Sequence, residues 1–483
     1  MNVLLFAITI PILMSAILFI FGKKIPSFKG VCVYAGIGLV VTLILAGLSI
    51  ISFPKESISV ISLNDVITLS FKMDELGRFF AALISIVWTV IGFYSFEYMK
   101  EEEHQVRFYG FYLLLFGVLL ALCFAENLVT YYAFFEMLTL GSFALVLHDR
   151  THEALMAGLK YMFYSFAGAY MVLFGIYFVA KYATDSTMTF IQGGFIAEGG
   201  PKVLTVALLL MIVGFSVKAG MFPMQAWLPT AHPVAPSPAS AALSGIIVKA
   251  GALGVIRVIY YVFGPEYFGG TWVRNVVLIL SLITILMGSA LPFREQILKK
   301  RLAYSTVSQV SYILFGIFMI NPVSFKGSLI HVAAHACIKS TLFMVAGAII
   351  HITGCKRVDE LKGIGRKMPV MMWCYTIVSL GLIGIPPFGG FASKWYLCSG
   401  ALGTDYGVFA WLGPVILMVS ALLTAGYLLP ITINAFFPGK DFNENEGKIA
   451  AWKEPNLLML VPMIILTILS VLIGMFPEVM VWA

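Results

Sequence analysis

Residues 213–257 read VGFSVKAGMFPMQAWLPTAHPVAPSPASAALSGIIVKAGALGVIR. The stretch is apolar enough to lie in a bilayer, yet it carries Lys218, Lys249 and Arg257 and is interrupted by Pro223, Pro229, Pro233, Pro236 and Pro238. A charge at the centre of a membrane helix costs about 2.5–3.5 kcal/mol on insertion scales. A broken helix also leaves backbone groups unpaired. Both are tolerated where a segment faces protein or a water-filled cavity, so a charged, broken membrane segment reads as a transport site. The plainer reading is a proline-kinked helix with snorkelling lysines. The position of Lys218, well inside its apolar run, argues against it.

The composition of the chain agrees. Of 483 residues, 60% are hydrophobic and 11% charged, and the mean hydropathy is +0.95. Soluble domains carry roughly 25% charged residues. Apolar runs of about 20 residues point to membrane helices, and the period-2 alternation of a membrane β-barrel is absent. The fold class is therefore an all-α polytopic membrane protein. The net charge of +7 is expected to sit in cytoplasmic loops, which makes nucleic acid an unexpected partner. The start, MNVLLFAITIPILMSAILFIFGKK, has its lysines after the apolar run. A signal peptide has them before it, so an uncleaved first span is expected. The six cysteines form no CxxC pair. No zinc, iron–sulfur or haem pattern arises, and no cofactor or metal is expected.

Fourteen spans can be laid along the sequence, near 2–21, 31–52, 78–99, 108–124, 127–147, 155–180, 203–222, 238–263, 273–292, 303–320, 326–352, 370–399, 408–436 and 456–479. Between the second and third, residues 53–77 alternate locally and suggest a small surface hairpin. The sixth, eleventh, twelfth and thirteenth spans are long, which implies tilt or breaks. Basic residues crowd alternate loops, among them Lys23, Lys24, Lys29, Lys299, Lys300, Arg301, Lys356, Arg357, Lys362, Arg366, Lys367, Lys440 and Lys448. The opposite loops and span edges hold fewer: Lys55, Lys72, Arg78, Lys181, Lys202, Arg274 and Lys326. That bias puts both termini on the outer face.

A second interrupted span reads SLGLIGIPPFGGFASKWYL, with Pro386, Pro387, Gly389 and Gly390 just before Lys394. The two interrupted spans, the seventh and the twelfth, lie five apart. An odd offset makes two units run in opposite senses, the signature of an inverted repeat. The expected organisation is one membrane domain over 1–483. It comprises three N-terminal helices in 1–100, a first repeat in 108–263 (helices 4–8), a second in 273–436 (helices 9–13) and a last helix in 456–483.

The chemistry is carried by a few buried ionisable groups. Glu136 stands mid-span in VTYYAFFEMLTLGSFALVL; an isolated carboxylate there must be neutral or paired, and Lys218 is the expected partner. A buried lysine loses hydration when charged, so it releases its proton more readily, and a mobile carboxylate beside it makes a proton switch that arginine could not replace. Lys218 and Lys249 have that character. His331, His335 and Lys339 recur at i, i+4, i+8 in HVAAHACIKSTLF, on one side of a helix. A polar proton path, interhelical hydrogen bonding and a metal pair are all open to them, though no acid accompanies the histidines. Lys394 completes the set Glu136, Lys218, Lys249, His331, His335, Lys339 and Lys394.

On these motifs the chain resembles the antiporter-like subunits shared by Mrp-type cation/proton antiporters, membrane-bound hydrogenases and respiratory complex I. The carriers are FFEM, KAGMFPMQAWLPTAHPVAPSPASAALSGIIVKAG, HVAAHACIKSTLF and GIPPFGGFASKW, in the family's order. The resemblance implies a fourteen-helix fold with two inverted five-helix repeats. It also implies proton movement, with sodium a candidate coupled ion, in a complex of several membrane subunits in a prokaryotic cytoplasmic membrane. Glu136 and Lys218 match the family's acid and lysine of helices five and seven. Lys249 matches the helix-eight relay residue and Lys394 the helix-twelve lysine. One complex I subunit carries glutamate at that last place, so lysine here leans towards the other branches. The parent is either a secondary antiporter or a redox-driven complex in which this chain would hold no redox centre.

Overall fold

The computed structural model describes residues 3–54, 56–64, 67–183, 187–196, 201–439 and 452–480. Lys55, Lys440 and Lys448 of the charge pattern lie outside the described residues. Helices α1 (Val3–Phe21), α2 (Phe28–Ser52), α3 (Glu75–Tyr98), α4 (Gln105–Phe124), α5 (Leu128–Val146), α6 (His152–Tyr182) and α7 (Lys202–Ala219) follow one another. The short α8 (Leu228–Val234) leads into α9 (Ser237–Ala242) and α10 (Val248–Ile256). These last two are joined by a π-helical turn, Leu243–Ile247, and followed by another, Arg257–Phe263. The remainder is α11 (Pro265–Gly269), α12 (Trp272–Ala290), α13 (Leu298–Phe318), α14 (Pro322–Thr353), α15 (Ile364–Lys367), α16 (Pro369–Ile383), α17 (Gly389–Leu402), α18 (Gly407–Phe436) and α19 (Leu457–Met475).

Among the described residues, twelve helical stretches are long and apolar enough to cross a membrane. Two of the fourteen expected spans fall outside that dozen for physical reasons. The first is α13, which spends its length on Ser305, Thr306, Ser308, Gln309 and Ser311, all buried against protein rather than lipid. The second is the twelfth span, divided into α16 and α17, neither of which is long enough alone. The hairpin expected before the third span is present. β1 (Ile58–Ser62) pairs antiparallel with β2 (Thr68–Phe71), in a register that sets Ile58 opposite Phe71.

Short polar side chains start the helices next to this hairpin. Asp74 accepts from the Gly77 amide at 2.8 Å to cap α3. Asn127 accepts from Thr130 at 2.7 Å to cap α5, each satisfying a donor that the helix leaves open. Of the twelve apolar stretches, the most enclosed are α4, residues 237–263 and α14, the last buried from Gly327 to Ile349 without interruption. By contrast α1, α2, α6 and α18 present large apolar side chains outward, among them Ile20, Phe163, Tyr170 and Leu422, as lipid-facing helices must.

Candidate functional site

Two helix breaks frame the buried charges. After α7, Gly220 takes the left-handed conformation (φ 77°). Its amide donates to Val217 O, and that of Met221 to Ser216 O, both at 3.1 Å. After α16, Gly384 does the same (φ 98°), and the amides of Gly384 and Ile385 both donate to Leu380 O at 3.1 Å. A side chain with a β-carbon would strain either turn. Each break leaves carbonyls to satisfy in a water-poor interior. At the first break the Trp227 indole donates to Val217 O at 2.9 Å. At the second, Lys394 Nζ reaches back to Leu382 O at 2.5 Å and Ile383 O at 2.7 Å. Lys394 thus holds the structural place of Trp227, not of Lys218.

The centre of the site lies between α10 and α14. Lys249 Nζ sits 2.7 Å from His335 Nδ1 and donates to Ser244 O at 2.7 Å. Ser244 belongs to the π-helical turn, where carbonyls are displaced from the regular ladder and free to accept. With the lysine donating, the neutral His335 ring carries its hydrogen on Nε2. One turn away, His331 Nδ1 lies 2.8 Å from Ser393 Oγ. That hydroxyl also lies 3.1 Å from Gly390 O, to which it donates. The two rings are 5.9 Å apart, and both Nε2 atoms are buried without a hydrogen-bond partner among the described residues. His331 stacks on Tyr312 at 5.5 Å, and Lys394 Nζ lies 5.4 Å from the same ring.

Lys339 turns to α13. It donates to Ser305 Oγ at 2.6 Å and Leu302 O at 3.0 Å. The neighbouring Thr306 shares a hydrogen bond with Ser244 at 2.7 Å. The i, i+4, i+8 set therefore fans out to three partners: His331 to α17, His335 to α10 and Lys339 to α13. An α-helix turns 100° per residue, so eight positions drift by about 80°, enough to separate the contacts.

The expected direct pair of Glu136 and Lys218 is absent. Lys218, 2% exposed, donates instead to Thr139 Oγ1 at 2.8 Å and Tyr161 OH at 2.6 Å, and no ion pair to Glu136 forms among the described residues. Glu136 is half-buried in α5, with Oε1 shielded and unpartnered. Thr139 lies one turn after Glu136, so the two hydroxyls take the lysine that the carboxylate is expected to hold. Lys218 is also the penultimate residue of α7, next to the break rather than deep within a span.

Arg257 is an in-span basic residue for which the sequence names no partner. It is 1% exposed and forms a two-pronged pair with the Asp74 carboxylate, Nη2 to Oδ1 at 2.8 Å and Nη1 to Oδ2. It also stacks on Phe190 and Tyr261 at 4.9 and 4.7 Å. Thr139, Tyr161, Ser305, Ser393 and Asp74 are the site's unforeseen members. A buried arginine in the sequence demands an acid; the other four are common hydroxyls that carry no signal of their own.

The comparisons with known proteins follow the same line. Residues 125–436 match the family described as NADH:quinone oxidoreductase/Mrp antiporter, transmembrane, and residues 61–109 match the NADH-ubiquinone oxidoreductase (complex I) chain 5 N-terminus. NADH-quinone oxidoreductase subunit N of Desulforudis audaxviator is 32% identical over 387 residues, which span 78% of this chain and 76% of that one. A Na+/H+ antiporter subunit of Alkalihalophilus pseudofirmus is 25% identical over 476 residues, 97% of this chain and 93% of that one. A chain of the archaeal membrane-bound sulfane sulfur reductase, a respiratory membrane complex, superposes with a TM-score of 0.87 at 20% identity, covering 99% of this chain and 95% of that one. A polytopic helical chain with broken helices, a buried lysine–histidine core and a family match over most of its length is an integral membrane protein, and it belongs to the antiporter-like membrane subunit family of NADH:quinone oxidoreductases and Mrp antiporters.

Proposed function

We propose that this chain moves protons across the membrane as one subunit of a multisubunit complex, with sodium as a candidate coupled ion. The proposed route enters at Glu136 and Lys218, passes Lys249, His335 and His331 with Lys339 beside them, and leaves by Lys394. The observation that carries it is the contact of Lys249 with His335 at 2.7 Å. His335 and His331 lie with ring centroids 5.9 Å apart, and each has a buried Nε2 without a hydrogen-bond partner among the described residues. A water bridging these two nitrogens would carry the step from Lys249 and His335 on to His331, and buried orphan polar atoms of this kind commonly bind one.

The finer architecture belongs to the same proposal. The reading is fourteen spans, with α13 and the divided α16–α17 added to the apolar twelve. Helices in 108–263 and 273–436 form the two inverted repeats, 1–100 and 456–483 flank them, and both termini lie outside. The matched breaks, each with a positive-φ glycine followed three residues later by proline (Gly220 and Pro223, Gly384 and Pro387), support the repeat. The partners are other membrane subunits, and the setting is a prokaryotic cytoplasmic membrane. The nearly full-length match to a Na+/H+ antiporter subunit favours an Mrp-type parent. The match to a complex I subunit keeps a redox-driven parent, of hydrogenase or complex I type, as the second reading.

Lys249→Arg and Lys249→Ala test the route. Arginine keeps the charge but hardly releases a proton; alanine removes both. Sodium- or redox-driven proton movement, measured in vesicles holding the whole complex, should be lost in both variants while assembly persists. Transport close to wild type with arginine would make Lys249 a fixed charge and remove it from the path.

A further inference from the structure

Beside the second break, α17 and α18 enclose a cavity of about 310 Å³ that opens between them. Its wall is apolar, built from Phe391, Trp395, Leu417 and Met418, with Cys398 and Lys394 beside them. Trp395 and Met418 are 64% and 65% exposed on the outside of the bundle, so the opening faces acyl chains. The volume sits at the lower end of the range for sites that hold small organic ligands. Lys394 is the one cationic side chain among the lining residues.

The geometry of that lysine selects a ligand. Its two hydrogen bonds go to Leu382 O and Ile383 O. A neutral amine has two N–H groups, which these carbonyls satisfy, and one lone pair left over. An ammonium has a third N–H instead. Either state therefore has one unused valence in a side chain that lines the cavity. A phosphodiester headgroup remains charged and interfacial, and burying it at mid-span is costly. A long-chain carboxylic acid is neutral when protonated and can reach that depth. On arrival its carboxyl proton passes to the Nζ lone pair. The O–H bond breaks as the N–H bond forms, leaving a carboxylate against an ammonium with no net charge brought in.

We propose that this cavity binds a long-chain fatty acid, its tail lying along the α17–α18 groove and its carboxylate on Lys394. Such a ligand would occupy the lysine's remaining valence and slow proton transfer there. That consequence rests on the relay reading above; the binding itself does not.

The test uses the whole complex in lipid nanodiscs, with dibrominated stearic acid as a quencher of Trp395 fluorescence and Trp395→Phe as the reference that isolates this tryptophan. Quenching should saturate and be reversed by unbrominated oleic acid. The methyl ester, which cannot ionise, should need about tenfold more or beyond for half-effect, since hydrogen bonds to charged groups are worth that much. This comparison needs no altered lysine. Lys394→Arg, already cationic, would take the ligand as its carboxylate with the proton left in water and should keep the saturable signal, and Lys394→Met should lose it. Equal potency of acid and ester would overturn the proposal. So would saturable quenching by dibrominated phosphatidylcholine that oleic acid does not displace, which would make the groove an ordinary phospholipid seat. Normal transport in Lys394→Arg with binding retained would count against the relay role of Lys394 and leave the fatty-acid site standing.

Discussion

At the scale of single residues, what matters is which buried groups can change charge. Glu136 differs from glutamine only in that capacity, and its Oε1 is already shielded and unpartnered. Glu136→Gln is expected to reduce transport by about a hundredfold, the lower end of what a positioned proton-transfer group supplies, with assembly unchanged. Wild-type transport in the assembled variant would remove the carboxylate from the route. His148, in the loop after α5, allows a different check. Burial, reinforced by Arg107, pushes its pKa down from 6.5 to about 4. Its Nε2 donates to Glu103 O at 3.0 Å, while Arg107 donates to the His148 carbonyl. Because the folded value lies below the unfolded one, the unfolded chain alone binds a proton between the two. Stability should therefore fall as pH drops from about 6.5 to about 4 and stay level on either side. The full effect is about 3 kcal/mol at 1.36 kcal/mol per unit. Thermal midpoints across that window should slope more steeply in the wild type than in His148→Gln; parallel curves would show that the ring stays solvated. Lys218 marks the limit of reading at this scale. Its burial was legible, but its place beside the helix break and its choice of Thr139 and Tyr161 over Glu136 were not, because hydroxyls from α5 and α6 reach it first.

Among the elements, the breaks were the most legible feature. Glycine and proline in combination announce them, in GMFP and GIPPFGG, whereas α18 runs on unbroken through Pro414 and Pro430. What the pattern could not convey is how α16 and α17 meet. A β-carbon added to Gly390 would lie 1.8 Å from Gly381 O, backbone against backbone. The start of α17 is pressed onto the end of α16 at that point. Gly390→Ala should destabilise the chain by about 1–3 kcal/mol, the usual cost of overpacking, and should loosen the turn that Lys394 caps. Gly47→Ala in α2 is the matched control. Nothing lies within 4 Å of its added carbon, so it should gain about 0.5–1 kcal/mol from lower backbone entropy in the unfolded chain. Thermal denaturation of both variants in one detergent decides it, and equal midpoints would show that α17 shifts freely. The absence of α13 from the apolar dozen has the opposite origin. Its serines lowered the hydropathy because the helix is enclosed by other helices, a fact of packing that no one-dimensional window contains.

For the whole molecule, the question is how charge on one half is felt by the other. The proposed repeats, 108–263 and 273–436, meet where Lys249 of α10 touches His335 of α14. The sequence placed both residues in membrane spans but could not pair them, since they lie 86 positions apart and a helical period relates only neighbours within a helix. The pair of Arg257 with Asp74, 183 positions apart, was hidden for the same reason. If the contact is a step in proton movement, removing the ring should stop traffic between the halves without separating them, because α14 is held along its length by apolar packing. His335→Ala is therefore expected to cut proton movement per assembled complex by about a hundredfold or more while subunit association survives. His335→Gln sharpens the distinction. Its amide can still hydrogen-bond Lys249 but cannot pass a proton from one side to the other, so it should restore any lost stability and no transport. If instead the glutamine variant transported normally, or if alanine dispersed the complex while the remaining assemblies kept full activity, the contact would be an interhelical tie. The path between the halves would then have to run through Lys339, Ser305 and the hydroxyls of Thr306 and Ser244.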